Sequence, residues 1–147
     1  MKMEDKSMIK EVSLEHMNDI YQLICVLENT QLCRESFEKK FLMGINDPNV
    51  FYYVYEMNHC IVGFMSLYIH HYLHHNKATA EIVELVVSPE ARGQKIGDQL
   101  IRYVEDLAKK MQLEEIELST STYRKRAHRF YEAHGFIMNH YNYIKKL

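Results

Sequence analysis

The feature that most constrains this 147-residue sequence is an almost uninterrupted apolar run, IVELVV at residues 82–87, which is followed closely by Pro89. Strands that are covered on both faces have such runs, whereas a strand with one wet face alternates apolar and polar residues. A second stretch, residues 96–111, then has apolar side chains at helical spacing: Leu100, Ile101, Val104, Leu107 and Ala108. A buried strand that leads through a turn into an amphipathic helix predicts an α/β protein with a covered central sheet.

The rest of the sequence extends this pattern over one domain, residues 1–147, because no repeat, low-complexity tract or linker interrupts it. Strands are expected at residues 8–12, 50–56, 60–71, 79–87, 114–119 and 139–144. Helices are expected at residues 14–27, 37–45, 96–111 and 127–133. This order predicts an α/β fold with a mixed, mostly antiparallel central sheet and helices on both of its faces.

Charge and composition exclude several classes of function. A formal net charge of -2 offers no basic surface for phosphates, so we expect no nucleic-acid partner. Residues 57–76 contain no Lys, Arg, Asp or Glu, but five histidines make them too polar for a lipid bilayer, so we expect no membrane partner. The three cysteines have neither metal-site nor disulfide spacing, which predicts reduced, mostly buried thiols in a cytoplasmic protein.

The turn ARGQKIG, residues 91–97, joins the apolar strand to its helix and forms the first candidate site. A helix N-terminus presents unpaired N–H groups and a positive dipole end, and glycine lets this backbone approach a phosphate closely. The turn has neither the GKS or GKT of a Walker loop nor the GxGxxG of a dinucleotide site. Many α/β proteins use such a connection without a ligand, so the spacing alone leaves both interpretations open.

The turn resembles the acyl-CoA pyrophosphate loop of the Gcn5-related N-acetyltransferase (GNAT) superfamily. That loop has Arg or Gln, two residues, Gly, one residue, then Gly or Ala, after a strand of the LxV type; here LVV at residues 85–87 precedes RGQKIG at residues 92–97. Lys95 replaces the first glycine of the pattern, so either the turn is less strained or the lysine adds charge beside the phosphates.

A second segment, AHRFYEAHGF at residues 127–136, resembles the Phe-Tyr and Gly-Phe segment of the same superfamily. Six scattered pieces resemble aminoalkylphosphonate N-acetyltransferases in particular: LICVLE, NDPN, LHH, EIVELVV, ELST and AHRFY. The resemblance implies direct transfer of acetyl from acetyl-CoA to a small primary amine. It also implies a set of acetyl-CoA contacts: Leu85, Val86, Val87, Arg92, Gly93, Gln94, Lys95, Ile96, Gly97, Asp98 and Ser121.

The same resemblance implies that Glu81 is the general base and Tyr131 the general acid. An alkylammonium group with a pKa of about 10.4 must lose a proton before it attacks, which costs about 4–5 kcal/mol at pH 7. The leaving thiolate needs a proton, which a phenol can supply. Glu84 also interrupts the apolar strand, and alternation points Glu81 and Glu84 to opposite faces unless a bulge intervenes. Which of the two is the base stays open, and Glu84 is also a candidate substrate contact.

The histidine cluster at residues 70–75 is the last candidate site. The resemblance implies that His74 and His75 line the acceptor pocket. Binding of a divalent metal by these histidines is an open alternative, although their spacing matches no standard metal motif. Two other functions remain open: a non-catalytic acetyl-CoA-binding regulatory module, and acetylation of an aminoglycoside, a polyamine or a protein N-terminus. The tyrosine-rich C-terminal tail suggests a homodimer contact.

Overall fold

A computed structural model describes residues 8–147, which divide into two compact units, one ending at Glu117 and one from Leu118 to Leu147. The strands are β1 (Met8–Glu11), β2 (Val50–Met57), β3 (Cys60–His70), β4 (Thr79–Val87) and β5 (Ile116–Leu118). The helices are α1 (Met17–Glu28), α2 (Arg34–Ile45), α3 (Ile96–Lys110) and α4 (Lys125–Ala133). This order confirms the sequence prediction up to the last helix.

The five strands form one sheet in the order β1-β2-β3-β4-β5. The pairs from β1 to β4 are all antiparallel. The Glu114 N–H donates to the Ala78 carbonyl at 2.9 Å and the Ala80 N–H donates to the Glu115 carbonyl at 3.0 Å. Because these bonds advance together along both chains, β5 runs parallel to β4, with α3 as the crossover. The predicted mixed, mostly antiparallel sheet is therefore confirmed.

Helices cover both faces of the sheet, as the sequence predicts. On one face, strand side chains form a buried cluster with α1 and α2: Val54, Phe64, Val86, Ile20, Leu23 and Phe41. On the other face, the ring of Tyr53 lies 4.9 Å from that of Tyr103 on α3, and Tyr55 Oη donates to Gln99 Oε1 at 2.9 Å. Alternation along β2 explains this division, because successive residues of a strand point to opposite faces.

A β-bulge interrupts the pairing of β3 with β4. Ser66 lies opposite Glu84 and Leu67 lies opposite Ile82, so Val83 is an extra residue in β4. Tyr68 lies opposite Glu81, and Ser66 and Tyr68 share a face of β3 because they are two residues apart. Glu81 and Glu84 therefore also share a face. The bulge removes the opposite orientation that simple alternation would give these two side chains.

Two sequence predictions are wrong. The structure has no strand at residues 139–144, where Tyr141, Tyr143 and Ile144 are at least 80% exposed. A strand needs a neighbour for its backbone hydrogen bonds, and within residues 118–147 the structure has no strand beyond Leu118. The cysteines are unpaired as predicted, but Cys33 and Cys60 are exposed.

The sequence predicts that residues 57–76 do not cross a membrane. The structure places most of this segment in β3 and in the loop that follows it. Of the helices in residues 8–147, none is long and apolar enough to span a bilayer.

Gly44 on α2 lies against the ring of Tyr52, and a Cβ at position 44 would lie 1.8 Å from Tyr52 Oη. An alanine normally stabilises a helix by about 1 kcal/mol relative to glycine, but overpacking costs about 1–3 kcal/mol. We expect Gly44→Ala to lower the free energy of unfolding, measured by urea denaturation. Met43→Ala, at an exposed position of the same helix, should change it by less than about 0.5 kcal/mol. A Gly44→Ala variant that is more stable than the wild type would contradict this packing.

Candidate active site

The turn between β4 and α3 presents a helix N-terminus with two left-handed residues before it. Gly93 has φ +81° and Lys95 has φ +61°, and α3 begins immediately afterwards. The Gln99 N–H donates to the Lys95 carbonyl at 3.2 Å, so the N–H groups of residues 96–98 have no acceptor within the helix. The side chain of Ile96 is buried, which leaves its main chain for a ligand. This arrangement is suited to an anion.

Lys95 occupies the left-handed region, with φ +61° and ψ +26°. The turn is therefore not less strained than one with glycine, since a non-glycine residue in this region costs about 1–2 kcal/mol. The space beside the turn is open, because a Cβ on Gly93 would meet nothing within 4 Å. An exposed lysine beside the N-terminus of a helix adds a positive charge that is suited to an anion.

The C-terminal half of β4 offers main-chain groups on the side away from β3. The Ser88 N–H donates to the Val62 carbonyl of β3 at 2.7 Å. Because successive N–H groups along a strand point in opposite directions, the Val87 N–H points away from β3, toward the side on which β5 lies. The side chain of Val86 belongs to the buried cluster, and its N–H points toward β3 by the same alternation, so the outward-facing main-chain groups are those of Leu85 and Val87.

Glu84 is the more buried of the two acids on β4. Ser66 Oγ donates to Glu84 Oε1 at 2.6 Å, and the Glu84 N–H donates to Ser66 Oγ at 2.9 Å. Burial raises the pKa of the Glu84 carboxyl, the Ser66 hydrogen bond lowers it in part, and the negative charges of Glu28 and Glu81 raise it. Glu84 therefore holds a proton more tightly than an ordinary glutamate does.

Glu81 has a different partner on the same face. Its Oε1 lies 2.8 Å from His70 Nε2, and the two side chains are 30% and 27% exposed. His70, Glu81 and Glu117 each offer one ligand atom, and these atoms lie within 4.8 Å of one another. Within residues 8–147 this is the one trio of its kind, and an imidazole with two carboxylates would suit a divalent cation.

The loop after β3 holds His74 and His75, and neither belongs to that trio. His75 pairs with Glu114 through Nδ1 and with Glu115 through Nε2, the latter at 3.3 Å. His74 is exposed, and its ring stacks on that of Tyr72 at 5.4 Å. The contacts of His75 attach the loop to the chain that enters β5.

Tyr131 and Ser121 belong to the unit from Leu118 to Leu147. The Tyr131 ring lies edge-to-face with that of Phe136, at 5.8 Å. Burial raises the pKa of the Tyr131 phenol, and the positive charge of Arg124 lowers it in part, so the phenol is protonated at neutral pH. The Ser121 carbonyl accepts a hydrogen bond from His128 Nε2 at 2.8 Å.

Sequence reasoning placed His70 in the histidine cluster at residues 70–75 without giving it a role, and it did not select Glu117. His70 lies in the predicted strand at residues 60–71, and its even spacing from Ser66 places both on one face. Glu117 comes close only through the parallel pairing of β5 with β4. The spacing along the chain contains no signal for that pairing.

The family model described as "Acetyltransferase (GNAT) family" matches residues 14–136. The chain is 39% identical over 139 residues to the aminoalkylphosphonate N-acetyltransferase of Salmonella typhimurium strain LT2, covering 95% of this chain and 90% of that protein.

Two solved structures have the same fold. A transcriptional regulator from Bacillus halodurans C-125 has a TM-score of 0.88 at 24% identity, covering 96% of this chain and 99% of that one. An aminoglycoside N-acetyltransferase in complex with CoA has a TM-score of 0.83 at 15% identity, covering 95% of this chain and 93% of that one. At these identities the likeness shows the fold alone.

The raised pKa of the Glu84 carboxyl predicts a pH-dependent stability. The folded chain binds the proton of Glu84 more tightly than the unfolded chain does. The contribution of this proton to the free energy of unfolding is therefore complete below the unfolded pKa of 4.5. It is lost as the pH rises through the higher, folded pKa. Glu84→Gln removes this titration. Its free energy of unfolding, relative to the wild type, should therefore increase between about pH 4 and about pH 8 in urea denaturation.

Glu35→Gln is the matched control, because Glu35 is an exposed carboxylate on α2 whose side chain is 84% exposed. The difference in free energy of unfolding between Glu35→Gln and the wild type should change little over the same pH range. If the free energy of unfolding of Glu84→Gln, relative to the wild type, is equally independent of pH, then Glu84 titrates alike in the folded and unfolded chains and the prediction is wrong.

Proposed function

Because the chain belongs to the GNAT family of acetyltransferases, we propose that it transfers acetyl from acetyl-CoA directly to the amino group of an aminoalkylphosphonate. The observation that carries this substrate class is the 39% identity over 139 residues to the Salmonella enzyme of that name. We take residues 1–147 to act as a single acetyltransferase domain, which the family match over residues 14–136 supports.

The turn at residues 92–98 is the proposed site for the diphosphate of CoA. Its left-handed residues Gly93 and Lys95, the N–H groups at the start of α3 and the lysine charge support this assignment. When bound, acetyl-CoA supplies the acetyl thioester. The Val87 N–H would polarise the thioester carbonyl, a contribution of about 3 kcal/mol for a donor of this kind. Leu85 and Val87 would offer main-chain groups to the pantetheine arm, and Val86 and Ser121 are further proposed contacts.

Glu81 is the proposed general base. It would accept a proton from the acceptor ammonium, after which the nitrogen forms a bond to the acetyl carbon as the carbon–sulfur bond breaks. The resemblance of the strand to those of related acetyltransferases favours Glu81 for this role, and the contact of Glu81 Oε1 with His70 Nε2 at 2.8 Å supports it. Tyr131, the tyrosine of the AHRFYEAHGF segment, would protonate the leaving sulfur, and the phenolate would then take up the second proton that the nitrogen loses as the amide forms. Its raised pKa supports this role because the phenol is protonated at neutral pH.

Further parts of the proposal concern the acceptor, the location and the assembly. Glu84 would face the acceptor ammonium from the same side of the sheet as Glu81, while His74 and His75 would contact its phosphonate. A cytoplasmic location is supported by the free cysteines. A homodimer is supported by exposed apolar side chains of the tail: Ile137, Met138, Tyr141, Tyr143, Ile144 and Leu147.

The activity test uses purified protein, acetyl-CoA and a thiol reagent that detects released CoA. We expect turnover with aminomethylphosphonate and 2-aminoethylphosphonate. Glu81→Gln and Tyr131→Phe should each lower kcat by about 100-fold or more, because each removes a proton-transfer group. Both variants should keep the wild-type affinity for acetyl-CoA, measured by calorimetry.

The panel also contains kanamycin, spermidine and a peptide with a free N-terminus, so that it separates the alternative acceptors. Turnover confined to one of these would replace the phosphonate proposal. Protein that binds acetyl-CoA but releases no CoA with any amine would contradict catalysis and favour a regulatory module.

The Lys95 assignment has its own test in the dissociation constant for CoA. Lys95→Gly removes the charge and tolerates the left-handed backbone, so we expect CoA affinity to fall about tenfold, or ~1.4 kcal/mol. Lys95→Arg keeps the charge and should bind within about threefold of the wild type. The difference between Lys95→Gly and the wild type should shrink as salt is added. Equal affinities at low salt would remove Lys95 from the phosphate site.

A further inference from the structure

His70 lies at the end of β3, where its ring reaches Glu81 on β4. Tyr68 lies opposite Glu81 and Thr79 lies opposite His70, so the 2.8 Å contact between His70 Nε2 and Glu81 Oε1 crosses the strand pair diagonally. An ionised carboxylate can only accept a hydrogen bond, so the ring nitrogen donates. This bond holds one of the two carboxylate oxygens of Glu81.

The histidine ring is itself held in place. The ring of Tyr72 stacks on that of His70, with 4.9 Å between the centroids and 26° between the planes. Tyr72 Oη donates to Glu117 Oε1 at 3.3 Å. The side chain of His70 is also partly buried, with 27% of it exposed. The donor to Glu81 is therefore restrained by packing as well as by its hydrogen bond.

The two carboxylates of this face are held by different groups. Glu84 accepts from a neutral serine hydroxyl, whereas Glu81 accepts from an imidazole on the same strand, β3. A glutamate side chain has several rotamers, and ordering it has an entropic cost. A displacement of about 1 Å in a reacting group can cost about 100-fold in rate. A hydrogen-bond partner that fixes the orientation of Glu81 would therefore increase the rate of proton transfer from the amine.

We propose that His70 is a positioning residue for Glu81, an inference that rests on the proposed function. His70 holds Oε1, so that Oε2 is directed to the acceptor amine and receives its proton. In this role His70 neither contacts the acceptor nor carries the proton. The stacked Tyr72 maintains the orientation of the imidazole.

The kinetic test compares two substitutions of His70, one that removes the N–H hydrogen-bond donor and one that keeps such a donor. His70→Ala removes the N–H donor and should lower kcat by about 10–100-fold, with the KM values for acetyl-CoA and amine within about twofold. His70→Gln retains an N–H donor at similar reach and should recover at least half of that loss on a logarithmic scale. His59→Asn, at an exposed histidine of the turn between β2 and β3, removes a histidine outside the site and should keep the wild-type kcat.

A double variant shows whether His70 acts through Glu81. His70→Ala in the Glu81→Gln background should cause no further loss, because there is no base left to orient. Losses that multiply, or a His70→Ala variant with the wild-type kcat, would overturn the inference. A metal test gives another outcome that would overturn the inference. If EDTA abolishes the activity, and Mn²⁺ restores it in the wild type but not in His70→Gln, then His70 is a cation ligand together with Glu81 and Glu117.

Crystal structures provide a second readout that does not depend on the acceptor. The Glu81 carboxylate should have one orientation in the wild type and in His70→Gln, and several orientations in His70→Ala. An unchanged Glu81 in His70→Ala would overturn the inference even if no amine is found. Absence of turnover with every amine would instead count against the proposed function, whatever the state of Glu81.

Discussion

The candidate site depends on one extra residue in the central strand. Val83 lies in the bulge, where Ser66 pairs with Glu84 and Leu67 with Ile82. An inserted residue reverses both the side-chain alternation and the direction of the N–H groups. Before the bulge the Ala80 N–H donates toward β5, and after it the Ser88 N–H donates toward β3. The bulge thus brings two acids to one face and directs the Val87 N–H away from β3.

The two acids then differ because their surroundings differ. Burial raises the pKa of Glu84, and a serine hydroxyl offsets this only in part. Glu81 lies next to an imidazole. Acidic groups held in different environments on one face are typical of sites that perform acid–base chemistry. The contrast in hydrogen-bond partners is consistent with different roles for the two carboxyls in the proposed reaction.

The loops at the two ends of β4 serve different parts of the proposed chemistry. At the C-terminal end, the strained turn with Lys95 exposes the start of α3 to an anion. At the N-terminal end, the loop after β3 is attached through His75 to Glu114 and Glu115, and Tyr72 contacts both His70 and Glu117. One strand therefore joins the proposed phosphate-binding turn to the face that carries the acids.

The sequence by itself determined the elements up to α4, because hydrophobic periodicity and the breaker residues act locally. It also selected the ARGQKIG turn, Glu81, Glu84 and Tyr131 as candidates. Only the tertiary structure decided the bulge at Val83, the left-handed backbone of Lys95 and the contact of His70 with Glu81. It also showed that the tail is not a strand. These features depend on pairing between distant segments, and a strand pattern such as that of residues 139–144 specifies no partner.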